Sequence, residues 1–141
     1  MLFRSLAKEN LQLSGLGNCP VRFITDDVVK FVQREQRREK KYDAIIMDPP
    51  SYGRGPNGEV WSIEQNLYPL IEDCMKILSD KPLFFLINSY TTGFSPTVLS
   101  NLLKLTLEKN YRGRIYCDEI GLPEKRSGLI LPCGIFRRWE N

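Results

Sequence analysis

The chain is expected to fold as an α/β domain: a mostly parallel sheet with helices on its faces and one reversed strand at its end. Three observations lead there. Short apolar runs of strand length alternate along the chain with segments of helical periodicity. The run ending at Met47-Asp48 is cut off at once by Pro49-Pro50, as a strand end is. The last two strand-like stretches have no helix between them, and adjacent strands with a short connection must be antiparallel.

Each element follows from local pattern. Residues 3–14 carry Phe3, Leu6, Ala7, Leu11 and Leu13 at three- and four-residue spacings, which predicts a short helix stopped by Ser14-Gly15. Pro20 to Thr25 alternates apolar with polar residues and predicts a strand; Asp26-Asp27 stand where a helix N-cap belongs, before Val28, Val29, Phe31 and Val32. Tyr42 to Asp48 predicts a strand buried on both faces, and Gly53, Gly55, Pro56 and Gly58 make the next ten residues a loop. A helix from about Ser62 to Leu78 follows, burying Ile63, Leu67, Leu70, Ile71, Cys74 and Leu78. Pro82 to Asn88 predicts another doubly buried strand, and Ser95-Pro96 opens a helix to about Glu108. Arg114 to Ile120 and Ile130 to Trp139 form the closing pair.

Composition narrows the function. With 141 residues, 42% of them hydrophobic, the chain can bury one core, and neither a repeat nor a linker divides residues 1–141 into more than one domain. No apolar run is long enough to span a membrane and no secretory signal pattern opens the chain, so the expected location is cytoplasmic. The four cysteines, Cys19, Cys74, Cys117 and Cys133, are scattered without a CxxC pair and there is no histidine, so no metal site is expected and the thiols read as reduced and mostly buried. The lack of histidine also removes the usual base of Ser-His and Cys-His hydrolases. A net charge of +3 says little about nucleic acid.

In an open parallel α/β sheet, ligands bind at the carboxyl ends of the strands. That rule gathers Asp26-Asp27, Asp48-Pro49-Pro50-Ser51-Tyr52, the segment from Asn88 through Tyr90 to Thr92, and the loop from Glu119 to Ser127 with Lys125 and Arg126. The basic run Arg34 to Lys41 precedes a strand and falls on the opposite edge as a solvated helix end. Asp48 with the carbonyls flanking its prolines presents acceptors and few donors, a wall suited to an amino group, and Tyr52 could stack on a planar base. Asp48 could equally cap the following turn, and Asp26-Asp27 could be ordinary helix caps. Arg54, Lys125 and Arg126 are either phosphate contacts or solvated cations. Trp61 and Trp139 read as packing residues, and so does Cys133.

These residues carry a family likeness. The strand, acidic turn and helix at 21–32, Tyr-Asp-Ala-Ile-Ile-Met-Asp-Pro-Pro-Ser-Tyr-Gly-Arg-Gly-Pro at 42–56, Leu-Phe-Phe-Leu-Ile-Asn-Ser-Tyr-Thr-Thr-Gly at 83–93 and Leu-Pro-Cys-Gly at 131–134 together resemble the class I methyltransferases related to the bacterial enzymes that methylate 23S ribosomal RNA. The resemblance implies a Rossmann-like sheet, S-adenosylmethionine as methyl donor and RNA, ribosomal above all, as partner. It implies that Asp27, or Asp26, accepts a hydrogen bond from the adenine amino group beside the N–H of Val28. It puts Asp48 and Pro49 at the transfer site between donor and acceptor, Asp48 also in contact with the cofactor; from the reading of the sheet edge above, Pro50 and Tyr52 are expected beside them, and Arg54, Asn88, Tyr90, Lys125 and Arg126 are expected to face the substrate. Methyl transfer from a sulfonium is an in-line displacement, which needs alignment and a route for a proton rather than histidine.

The likeness also carries two departures. The glycine-rich turn after the family's first strand and the ribose-binding acid after its second are expected before residue 1, so the chain reads as the last five of seven strands, a truncated catalytic domain with an open edge. Where related cytosine-C5 enzymes place a nucleophilic cysteine, this chain has Asn88-Ser89, which turns the expectation from carbon toward nitrogen acceptors. Two other readings are expected to compete: an inactive remnant that self-associates through the open edge, and a methyltransferase acting on a small molecule or protein.

Overall fold

The computed structural model describes residues 2–55 and 58–141, with side chains from residue 5 onward. Pro56 and the side chain of Phe3 lie outside the described residues. In chain order the elements are α1 (Leu2–Leu13), α2 (Val28–Arg37), β1 (Ala44–Met47), β2 (Tyr52–Arg54), β3 (Val60–Ser62), α3 (Ile63–Met75), β4 (Phe84–Ser89), α4 (Pro96–Thr106), β5 (Arg114–Pro123) and β6 (Ile130–Glu140).

The main sheet runs β1-β4-β6-β5. β1 and β4 are parallel, with Ala44 opposite Phe84 and Met47 opposite Ile87. β6 is antiparallel to both β4 and β5, so β1, β4 and β5 share one direction and β6 alone is reversed. This is the α/β sheet with a reversed final strand that the pattern implies. Its consequence for function is geometric: Asp48, Tyr90 and the turn after β5 leave the sheet on one edge.

The helices form where local signals place them. Asp27 caps α2, its Oδ1 accepting from Lys30 N at 2.9 Å. Ser95 caps α4 with Pro96 in the first turn. α3 starts at Ile63, whose N–H donates to the carbonyl of Ser51 at 3.0 Å. Its expected apolar face, Ile63, Leu67, Leu70, Ile71 and Cys74, is buried, as is Leu78 just beyond it. With Phe85 and Ile87 of β4, Leu99 and Leu103 of α4 and Trp139 of β6, these make the core. Each large aliphatic side chain so buried contributes about 1.5–3 kcal/mol relative to exposure.

Several expectations are corrected. Pro20 to Thr25 is not a strand: among the described residues it belongs to neither sheet, and alternation of apolar and polar residues does not by itself make a ladder. The main sheet therefore has four strands where five were expected. β1 is not buried on both faces: it is an edge strand, and Ile46 is 65% exposed. β4 buries Phe85, Ile87 and Ser89 on one face and only partly covers the other. The expected loop after Pro50 contains an antiparallel ribbon, with Tyr52 opposite Ser62 and Arg54 opposite Val60. The loop at Glu119 to Ser127 is shorter than expected, since β5 continues to Pro123 beyond a register shift at Ile120/Gly121.

The thiols are not mostly buried. Cys19 is exposed, Cys117 and Cys133 are half-buried, and Cys74 alone lies in the core. Cys133 sits on β6 past the end of β4, where no third strand covers it. Desolvation pushes the Cys74 thiol up to about 12. The expected outcome is that a thiol-reactive disulfide at pH 8 labels Cys19 within minutes while Cys74 stays unmodified until the protein is unfolded; rapid labelling of Cys74 in the native state, read by mass spectrometry, would contradict this packing.

Candidate functional site

A cavity of about 860 Å³ runs along β1 from Tyr42 to Asp48, between α2, α3 and the β2–β3 ribbon, and reaches the carboxyl edge of the sheet at Asp48. Its polar lining includes Asp27, Asp48, Arg54 and Glu59, and its apolar walls include Val28, Met47, Pro49, Val60 and Trp61. A volume of this order suits a nucleoside-sized ligand.

Asp27 and Asp48 both face this space but differ in what else they do. Asp27 spends Oδ1 on the helix cap, which leaves Oδ2 for a ligand; Val28, the first helical residue, has no acceptor for its N–H within α2. Asp48 is exposed, and the carboxylate makes no hydrogen bond or ion pair among the described residues. The alternative in which it caps the following turn is therefore not what the fold does with it.

The Asp48-Pro49-Pro50 turn is held from outside. Trp61 Nε1–H donates to the carbonyl of Pro50 at 2.7 Å, and Ile63 N–H donates to that of Ser51 at 3.0 Å. The hydroxyls of Ser51 and Thr91 are bonded at 2.7 Å, which ties this turn to the segment after β4. Across the cavity mouth, Lys30 Nζ of α2 lies 3.8 Å from Glu59 of the ribbon.

Of the residues singled out from sequence, the cavity takes in Asp27, Val28, Asp48, Pro49, Pro50 and Arg54. It leaves the others outside, for separate reasons. Asp26 is drawn into an ion pair with Arg34 and accepts from Asp27 N, and the Arg34 guanidinium holds its carboxyl below the usual carboxylate range. Arg34 is thus a partner of the acidic turn and not one of a solvated basic run on the far edge. Tyr52, on the ribbon, is exposed and its Oη accepts from Arg54 Nε at 3.2 Å. Asn88 pairs with Phe136 of β6 one residue beyond the β1–β4 ladder, and exposed Tyr90 lies two residues further on. Lys125 and Arg126 sit in the turn after β5, whose backbone is held by Glu124; β5 is three strands from β1, roughly 14 Å across the sheet.

Sequence reading took Trp61 for packing only and passed over the Ser51–Thr91 pair. The signal for a brace was present, because two successive prolines remove two backbone donors from the turn. Which residue supplies the donor depends on the ribbon.

Asp27 carries one separable expectation. Asp27→Ala removes the cap and should cost about 0.5–2 kcal/mol, whereas Asp27→Asn keeps a capping oxygen and should change stability by less than about 0.5 kcal/mol. Urea unfolding of the two variants checks the order; equal losses would mean that the charge matters more than the hydrogen bond.

No family model matches the chain. A solved S-adenosylmethionine-dependent methyltransferase from Agrobacterium tumefaciens is 37% identical to it and superimposes with a TM-score of 0.81, covering 95% of this chain and 44% of that one. Ribosomal RNA large subunit methyltransferase K of Neisseria meningitidis serogroup B is 30% identical over 81 residues, which is 56% of this chain and 23% of the relative. Ribosomal RNA large subunit methyltransferase I of Klebsiella pneumoniae is 36% identical over 47 residues, 33% of this chain and 12% of the relative. The chain thus spans under half of the solved relative, and the matched segments are under a quarter of the curated ones. In sequence and in fold this chain is related to the class I S-adenosylmethionine-dependent methyltransferases, the ribosomal RNA large-subunit enzymes among them.

Proposed function

We propose that the chain is the acceptor-side portion of an S-adenosylmethionine-dependent RNA methyltransferase, and that the cavity beside β1 is where cofactor and target base meet. One observation carries the reading: Asp27 and Asp48 line the same cavity, and Asp48 has no structural partner there. A carboxylate without a job in folding, at the carboxyl end of a parallel strand, is available to a ligand. The names of the relatives support RNA as the acceptor, and ribosomal RNA in particular.

The residues present fit the cofactor's adenosyl part. The free oxygen of Asp27 can accept from an exocyclic amine, the N–H of Val28 can donate to a ring nitrogen, and Val28 and Met47 offer apolar surface to a purine. When bound, S-adenosylmethionine supplies an electrophilic methyl group on sulfonium. Asp48 would then accept a hydrogen bond from the target amine, orient its lone pair toward the donor and receive the proton that the methylated nitrogen loses. Pro49 and Pro50 keep competing N–H donors away from that amine. Arg54, on the ribbon and bonded to Tyr52, would meet a phosphate next to the target base.

The test is calorimetric titration of the chain with S-adenosylmethionine, in the native protein and in Asp27→Asn. Binding that weakens about tenfold or more in the variant, with unchanged unfolding, supports the assignment. Equal affinity for both proteins would remove Asp27 from cofactor recognition, and no heat at millimolar cofactor would remove the cavity.

A second reading is favoured by a separate observation, the outer edge of β1, which pairs with no further strand among the described residues and carries Ile46, 65% exposed. Such an edge takes up further strands, so association between copies through β1 is the alternative to a monomer.

A further inference from the structure

We infer that Trp61 is a positioning residue for the transfer site, acting through the carbonyl of Pro50. The inference rests on the methyltransferase reading for its functional part and on geometry for the rest. A turn with two successive prolines has no N–H at either position and so has fewer backbone donors with which to brace itself. Two of its carbonyls are held by donors from elsewhere: Pro50 by the indole of Trp61 at 2.7 Å, and Ser51 by the N–H of Ile63 at 3.0 Å. The second bond belongs to the start of α3 and forms with the helix. The first depends on one side chain.

Trp61 differs from an ordinary core tryptophan. It is only half-buried, it lines the cavity, and it lies on β3 opposite Gly53, so its position is tied to the register of the ribbon that also carries Arg54. By occupying the Pro50 carbonyl, the indole sets the plane of the peptide that follows the transfer-site prolines. It also removes the Pro50 carbonyl from the acceptors that are free beside the Asp48 carboxylate. Trp139, fully buried, has an indole N–H without a partner, which makes the two tryptophans distinguishable by experiment.

The experiment has a structural and a kinetic arm. In the full chain, nitrogen-15 labelling of tryptophan resolves the two indole N–H groups, and Trp61→Phe assigns them by loss of one signal. The Trp61 N–H should exchange with solvent about tenfold or more slowly than a free indole. Exchange at the free rate overturns the inference whatever the enzyme does. In the kinetic arm, transfer from tritiated S-adenosylmethionine to unmodified large-subunit ribosomal RNA is followed for the native protein, Trp61→Phe and Trp61→Ala. The Phe variant, which keeps the ring and loses the donor, should lower kcat about tenfold or more while KM for the cofactor stays within about twofold and the thermal midpoint holds. An unchanged kcat, or a kcat that falls only in step with the thermal midpoint, overturns it. If the native protein transfers no methyl group, the RNA methyltransferase reading is what fails, and the exchange measurement still decides whether Trp61 holds the turn.

Discussion

Asp48→Ala is expected to lower methyl transfer by roughly a hundredfold or more while leaving the protein folded. The reason lies in what Asp48 lacks. Acidic residues nearby are engaged in structure: Asp27 caps α2, and Asp26 pairs with Arg34. Asp48 is exposed, stands at the end of β1 and has no hydrogen-bonding partner among the described residues. Surface substitutions without structural partners usually change stability by less than about 0.5 kcal/mol, so thermal unfolding should be nearly unaffected. Asp48→Asn makes the comparison sharper, because the amide keeps an acceptor oxygen and the shape but cannot take the proton. It should retain acceptor binding and lose turnover, with kcat falling and KM for RNA little changed. A variant at position 48 that transfers methyl groups at the native rate would remove the carboxylate from the reaction. Loss of activity accompanied by a large fall in the thermal midpoint would instead assign Asp48 a role in folding.

The largest effect on stability is expected at Trp139. It is fully buried in β6, opposite Phe85 of β4 and Ile115 of β5, with the ring of Tyr111 5.7 Å away. Its ring also explains Gly113: a Cβ there would come within 2.5 Å of the indole nitrogen and 2.4 Å of the Glu140 carbonyl, so the chain can pass only as glycine. Trp139→Ala should cost about 3–5 kcal/mol, a large part of the roughly 5–15 kcal/mol that holds a typical domain together. Trp139→Phe should cost less, because it fills most of the space and removes an indole N–H that has no partner. Urea unfolding at equilibrium checks both. An Ala variant within about 1 kcal/mol of the native protein would mean that the sheet around β6 collapses onto the gap, or that β6 is not packed as described.

The reading from sequence succeeded where structure is local. α3 buries the residues its periodicity singled out, Ser95-Pro96 and Asp27 begin helices as their chemistry requires, and the parallel β1–β4 pair and the antiparallel β5–β6 pair follow from element order. It failed where a residue's state depends on a distant partner. Pro20 to Thr25 alternates correctly and still forms no strand, and Ile46 belongs to an apolar run and still faces solvent.

The sequence by itself determined which segments become helices, that an acid ends the strand before Pro49-Pro50, and the family to which the chain is related, because capping, periodicity and proline breaks act within a few residues. Only the tertiary structure decided that Asp27 and Asp48 share a cavity, that Tyr52 to Ser62 closes into a ribbon, and that Trp61 reaches the Pro50 carbonyl. Those facts are relations between segments that the chain brings together only on folding, since a hydrogen bond or a cavity wall belongs to two places at once and neither place encodes it alone.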